Sequence, residues 1–204
     1  MAEPLGGTML SLFLGIAAFL LYLVYDINSI TCKNRILHLF FMAGTVLLCT
    51  ATALDLRSAW MTAAFRGVGD ILLLVGSSLC FAALIYCLFF ALPFDETYRD
   101  QKENRFVYSK GVYALCRHPG ILCFFGMYLL FGLAALPTAV LRNCVVFSIL
   151  NLMYAWFQDR ITFPKTFCDY KNYQKNVPFL IPTVDSIRAA VRTMSRSESE
   201  EEAK

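Results

Sequence analysis

Charge is what this sequence has least of. Only 16% of its 204 residues are Asp, Glu, Lys or Arg, against about 25% in an ordinary soluble domain. Histidine occurs twice, as His38 and His118. The eight cysteines contain no Cys-x-x-Cys pair, so neither a zinc site nor a disulfide framework is indicated, and no metal ligands are expected. Five of them (Cys49, Cys80, Cys87, Cys123 and Cys144) lie inside apolar runs, where a thiol packs as a small hydrophobe. No basic segment precedes the first apolar run, Glu3 being the only charged side chain before it, and no small-residue cleavage site follows. That run therefore reads as a helix that stays, not as a signal peptide.

What is present is apolar: 58% of the residues are hydrophobic and the mean hydropathy is +0.57. The arrangement matters more than the total. Thr8–Tyr25, Ile71–Leu92, Ile121–Val140 and Cys144–Gln158 carry no charge, and Ile36–Leu54 contains only the neutral His38. At about 1.5 Å per residue, about 20 residues cross a ~30 Å hydrocarbon core. In a soluble chain, runs of this kind would leave no polar face to meet water. The expected fold is all-α: a polytopic membrane helical bundle of about five transmembrane helices, near residues 8–25, 36–54, 71–92, 120–136 and 138–157. The last two form a hairpin joined at Pro137, and Arg142 with Asn143 interrupts the early part of the fifth.

Lys and Arg fall unevenly about these spans. The 26–35 and 94–119 loops and the C-terminal segment hold fifteen, from Lys33 and Arg35 to Arg196 and Lys204; Arg57, Arg66 and Arg142 are the only three on the other side. The positive-inside rule then places the N-terminus outside and the C-terminus in the cytoplasm. Three regions follow: residues 1–93 with the first three helices, 94–182 with the hairpin, and 183–204. In the last, Val184, Ile187, Val191 and Met194 recur at helical spacing beside a basic stripe of Arg188, Arg192 and Arg196. That pattern suits either a helix lying on an anionic leaflet or one packed on the protein. The acidic Ser195–Lys204 stretch reads as a disordered tail.

The residues with chemical character cluster from about Phe94 to Pro182. Before the hairpin stands Gly111-Val-Tyr-Ala-Leu-Cys-Arg-His-Pro119; after it come Asp159-Arg160, Tyr170, Tyr173 and Val177-Pro-Phe-Leu-Ile-Pro182. In these two segments the chain resembles the isoprenylcysteine carboxyl methyltransferase and phospholipid methyltransferase superfamily, to which sterol reductases are more distantly related. Gly111, Tyr113, Arg117, His118 and Pro119 match the first half of that family's pattern. Tyr173, Val177, Pro178, Ile181 and Pro182 match the second.

The resemblance implies a cytosolic S-adenosylmethionine pocket and a lipid or small hydrophobic acceptor reaching it from the bilayer. It implies catalytic parts for Arg117, His118, Asp159 and Arg160, and cofactor-binding parts for Gly111, Tyr113, His118, Pro119, Tyr170 and Tyr173. No nucleic-acid partner is expected. Read without the family, the tyrosines form an interfacial aromatic belt, and His118 simply precedes a proline at the start of a helix.

Departures from the pattern bear on catalysis. A Glu-Glu pair in the family falls on Asp159 and Arg160 here, so the second charge is reversed, and a guanidinium beside a sulfonium is unfavourable at low dielectric. Ile121 and Cys123 stand where the family has Tyr and Gly, and Thr166-Phe167 where it has Phe-Gly. Two other expectations therefore stand beside a methyltransferase. One is a catalytically degenerate relative serving as a lipid-binding or interaction protein. The other is a reductase-like member using a nicotinamide cofactor, whose phosphate would suit Arg160.

Overall fold

The computed structural model describes residues 5–61, 67–91, 105–135 and 138–201, and all regular structure among them is helical. In order these are α1 (Leu5–Ile30), α2 (Arg35–Met61), α3 (Val68–Ile85), α4 (Val112–Leu115), α5 (Pro119–Ala135), α6 (Thr138–Phe157), α7 (Phe163–Thr166), α8 (Tyr170–Asn176) and α9 (Val184–Glu201). A π-turn, Tyr86–Phe90, prolongs α3, and another, Gln158–Thr162, joins α6 to α7.

Four helical stretches are long and apolar enough to cross a membrane: Gly6–Ile30, Arg35–Met61, Val68–Phe90 and Ala139–Thr166. The fifth apolar helix, α5, has 17 residues, about 25 Å of rise. The expected hairpin joint at Pro137 lies outside the described residues.

The chain divides into two compact units, Met1–Phe81 with Phe124–Gln158, and Ala82–Cys123 with Asp159–Lys204. The first unit turns many large apolar side chains outward. Its interior packs aromatic side chains such as Tyr128 and Phe147 with small and polar residues, among them Ser11, Ala18, Ala51, Asp55 and Asn143, each 0% exposed. Phe13, Leu20, Met42, Leu79 and Trp60 instead face outward, Trp60 at 73%. Water would penalise so large an apolar surface, whereas hydrocarbon accepts it. This is an integral membrane protein.

In lipid no hydrophobic force drives helices together, so close backbone approach and interhelical hydrogen bonds must do so. Gly44 of α2 supplies the first: a Cβ there would lie 3.0 Å from the Ala18 carbonyl oxygen and 2.9 Å from the Tyr22 ring. Ser11 supplies the second by donating to the Ala51 carbonyl at 2.9 Å. Asn143 joins three helices at once, its Nδ2 donating to the Thr8 carbonyl at 2.8 Å and to Asp55 Oδ1 at 2.9 Å.

Two expectations from sequence are corrected here. Arg142 and Asn143 do not interrupt the fifth helix; α6 runs through both, because the Asn143 amide finds buried acceptors on its neighbours. α1 and α2 also extend past residues 25 and 54, carrying Asp26 and Asp55 inside the unit at 3% and 0% exposure. Asp55 is held by Asn143, which donates to its Oδ1.

Further along, α9 continues to Glu201, into the stretch that composition reads as disordered. Glu and Arg are good helix formers, and once a helix has nucleated each added residue gains a hydrogen bond.

Candidate functional site

The second unit is built around one loop, Gly111–His118, and the segment that closes on it. Gly111 opens α4 with φ 59° and ψ −131°, a backbone conformation that residues bearing a Cβ avoid. Its N–H donates to Thr193 Oγ1 of α9 at 3.0 Å. Pro119 is the first residue of α5, where its missing N–H costs nothing. Tyr113 donates from its hydroxyl to the Cys87 carbonyl at 2.9 Å, and its own carbonyl accepts the Tyr173 hydroxyl at 2.6 Å.

Arg117 binds the two motif halves to each other. Its backbone N–H donates to the Pro178 carbonyl at 2.9 Å. In the side chain, Nη1 donates to the carbonyls of Gln174 and Val177 at 3.0 and 2.6 Å, while Nε and Nη2 grip the Asp159 carboxylate at 2.7 and 3.1 Å. The same carboxylate accepts the Tyr170 hydroxyl at 2.6 Å and the Gln174 amide at 3.1 Å. Two donors thus converge on each oxygen of a side chain only 3% exposed. A carboxylate so filled is an anchor and not a free base. Burial and the adjoining Asp159 raise the Tyr170 hydroxyl well above the usual tyrosine range, and burial does the same for Tyr173.

The π-turn Gln158–Thr162 explains the fate of the Asp159-Arg160 pair. Within it Asp159 and Thr162 are buried while Arg160 and Ile161 face out. Arg160 therefore takes no part in the Asp159 network, and the charge reversal read from sequence falls on an exposed side chain.

His118 is 8% exposed, and its ring stacks on Phe163 (centroids 5.8 Å apart, 13° between planes) and meets Phe179 edge-on at 5.0 Å. Its Nε2 stands 3.5 Å from Asp159 Oδ1 but makes no hydrogen bond. A buried ring nitrogen left in this state costs on the order of 1–3 kcal/mol, and so has capacity for a further partner.

Beside this network lies an open groove of about 260 Å³, bounded by Val107, Ser109, Asp169, Asn172, Tyr173 and Asn176 among others. Asp169 fixes its rim by accepting the Val107 N–H at 2.9 Å. Of the residues expected from sequence to bind a cofactor, Tyr173 lines the groove; Gly111, Tyr113, His118, Pro119 and Tyr170 do not. Sequence reasoning also missed Gln174, Phe163, Phe179 and Asp169. For Gln174 a signal existed: Tyr170, Tyr173 and Gln174 share one face of α8 at i, i+3 and i+4. Among the described residues no group of His, Cys, Asp and Glu could hold a metal ion.

No protein-family model, curated protein or solved structure matches this chain.

Proposed function

We propose that the chain is a membrane-embedded methyltransferase that uses S-adenosylmethionine and acts on a lipid or small hydrophobic acceptor. One observation carries this reading: Arg117 ties the Gly111–Pro119 loop to Asp159 and to the 174–178 segment, so the two halves of the motif form one hydrogen-bonded body beside a polar groove. The groove suits a ligand of net positive charge, since two carboxylates (Asp169, Asp185), amides (Asn172, Asn176) and a hydroxyl (Ser109) line it, and among the described residues no Lys or Arg does. These side chains would hold its polar ends, while His118, outside the groove, packs the loop through Phe163 and Phe179. When bound, the cofactor supplies an electrophilic methyl group on sulfur. Alignment and exclusion of water then provide most of the acceleration, so the chemistry does not need Asp159, whose oxygens are already filled, as a base.

The filled state of Asp159 and the small groove, below the roughly 300–1,000 Å³ of most ligand pockets, favour a second reading: a relative that keeps the fold and binds lipid without catalysis. Calorimetric titration of S-adenosylmethionine into detergent-solubilised protein separates the two. Under the first reading wild type binds, and Asn172→Ala, which removes an amide from the groove, weakens binding by about 1–3 kcal/mol, the size of one hydrogen bond to a buried or charged group. Arg160→Glu should leave the affinity unchanged, because Arg160 is exposed outside the network. Absence of binding by wild type ends the methyltransferase reading.

The proposed topology puts the N-terminus outside and residues 105–119 and 159–201 in the cytoplasm. Exposed Cys32 and Cys168 report on it, whereas Cys116, 0% exposed with its thiol pushed up by burial to about 11, stays silent. An impermeant maleimide should label Cys168 only after cells are permeabilised. Strong labelling in intact cells would reverse the orientation.

A further inference from the structure

Helix α9 buries the wrong face for a helix that is merely packed on the protein. Ser186, Ala190 and Thr193, at i, i+4 and i+7, turn inward; Ser186 and Ala190 are 4% and 5% exposed, and Thr193 accepts the Gly111 N–H. The large apolar side chains lie on an adjacent face and stay out: Val184 is 64% exposed, Ile187 46%, Val191 60% and Met194 41%. On the far side of that stripe run Arg188 and Arg192, both exposed. Arg188 stands 3.6 Å from Asp185, each side chain more than two-thirds exposed, so the pair is weak enough to exchange for another anion.

From these faces we infer that α9 is seated on the membrane: its Val184–Met194 stripe enters the acyl boundary of the leaflet while Arg188 and Arg192 engage anionic headgroups. Two observations identify a leaflet as the occupant. The first is position within the second unit. α9 packs on α4, and α4 is fastened through the Tyr113 hydroxyl to the carbonyl of Cys87, in the last turns of the membrane-length helix Val68–Phe90. The helix is therefore moored where a span ends. The second is the order of faces, with the apolar stripe bordered by guanidinium groups. Their stems can run along the acyl region and leave the charge among phosphates. Ile181, 78% exposed just before the helix, prolongs the same apolar edge.

The full-length chain allows a clean test, because Trp60 and Trp156 are its only tryptophans. With both changed to Phe, Ile187→Trp puts the sole indole on the stripe, and Val184→Trp in the same background is a second reporter should the first disturb the fold. Each is reconstituted into vesicles of phosphatidylcholine alone or with roughly one-third phosphatidylglycerol, an anionic lipid. The expected result is blue-shifted emission quenched by brominated acyl chains. Quenching should be stronger in the anionic vesicles, and should weaken towards the neutral level between about 0.1 M and 1 M salt, where the Debye length falls from roughly 10 to 3 Å. Arg188→Gln with Arg192→Gln should abolish the difference between lipids. Emission typical of indole in water in both vesicles would overturn the inference, as would equal quenching in neutral and anionic vesicles. Protection from bromolipid that fades as protein is diluted in lipid would also overturn it, since the stripe would then be covered by a second copy of this chain.

Discussion

Replacing Asp159 by Ala should lower the stability of the folded protein by about 3–5 kcal/mol, the penalty for removing one partner of a buried ion pair. The Arg117 guanidinium is 10% exposed and the carboxylate 3%, so solvent would compensate little. Truncation strands more than the charge: Nε and Nη2 of Arg117, the Tyr170 hydroxyl and one Gln174 hydrogen bond all lose their acceptor. For a chain of this size about 1 kcal/mol corresponds to roughly 2–4 °C, so the midpoint in detergent should fall by about 6–20 °C. Asp159→Asn should be milder, because a neutral acceptor oxygen remains for the tyrosine. The double variant Arg117→Met with Asp159→Leu should be more stable than Asp159→Ala, since it leaves no unpaired charge. A melting midpoint for Asp159→Ala within about 2 °C of wild type, under 1 kcal/mol by the same conversion, would mean that this ion pair is not the fastening of the site.

This role for Asp159 marks the limit of what the sequence made legible. The helices were readable because a membrane enforces a crude rule, and charge-free runs of the right length had no other soluble solution. The meeting of the two motif halves was readable from their order and the apolar runs between them. The partners of Asp159 were not. Its aim depends on the π-turn Gln158–Thr162, and nothing in that composition announces a switch from the regular helical register. One such turn decides that Asp159 faces in and Arg160 out, so the charge reversal that weighs against catalysis in the sequence has no buried consequence. Asp26 and Asp55 are a second case. As charged residues they bound the charge-free runs in the sequence, but Asp55 lies inside because Asn143, nearly ninety positions away, donates to its carboxylate. A pairing so distant leaves no trace in local pattern. The exposed stripe of α9 was visible as periodicity, yet which face turns inward depends on the Gly111–Thr193 hydrogen bond.

Gly15 should prove as sensitive as any residue in the first unit, although it carries no side chain. It lies in α1 against the Phe147 ring of α6, and a Cβ there would overlap Cε1 and Cζ of that ring. Contacts this short cannot be accommodated by small adjustments, so Gly15→Ala must displace the ring or part the two helices. Phe147 is 0% exposed and meets Tyr128 edge-on at 5.7 Å, leaving the ring little room to move. Overpacking typically costs about 1–3 kcal/mol, and losing a buried Phe about 3–5. Gly15→Ala is therefore expected near the upper end of the first range, and Gly15→Leu beyond it. A double-mutant cycle identifies the cause. Phe147→Leu alone should be destabilising, but combined with Gly15→Ala it should cost clearly less than the sum of the two, because the clash disappears with the ring. Thermal unfolding in detergent of wild type, both single variants and the double variant measures the coupling. Strict additivity would show that the cost at Gly15 arises elsewhere, and α1 and α6 would then owe their packing to the Asn143 hydrogen bonds instead of this small-residue contact.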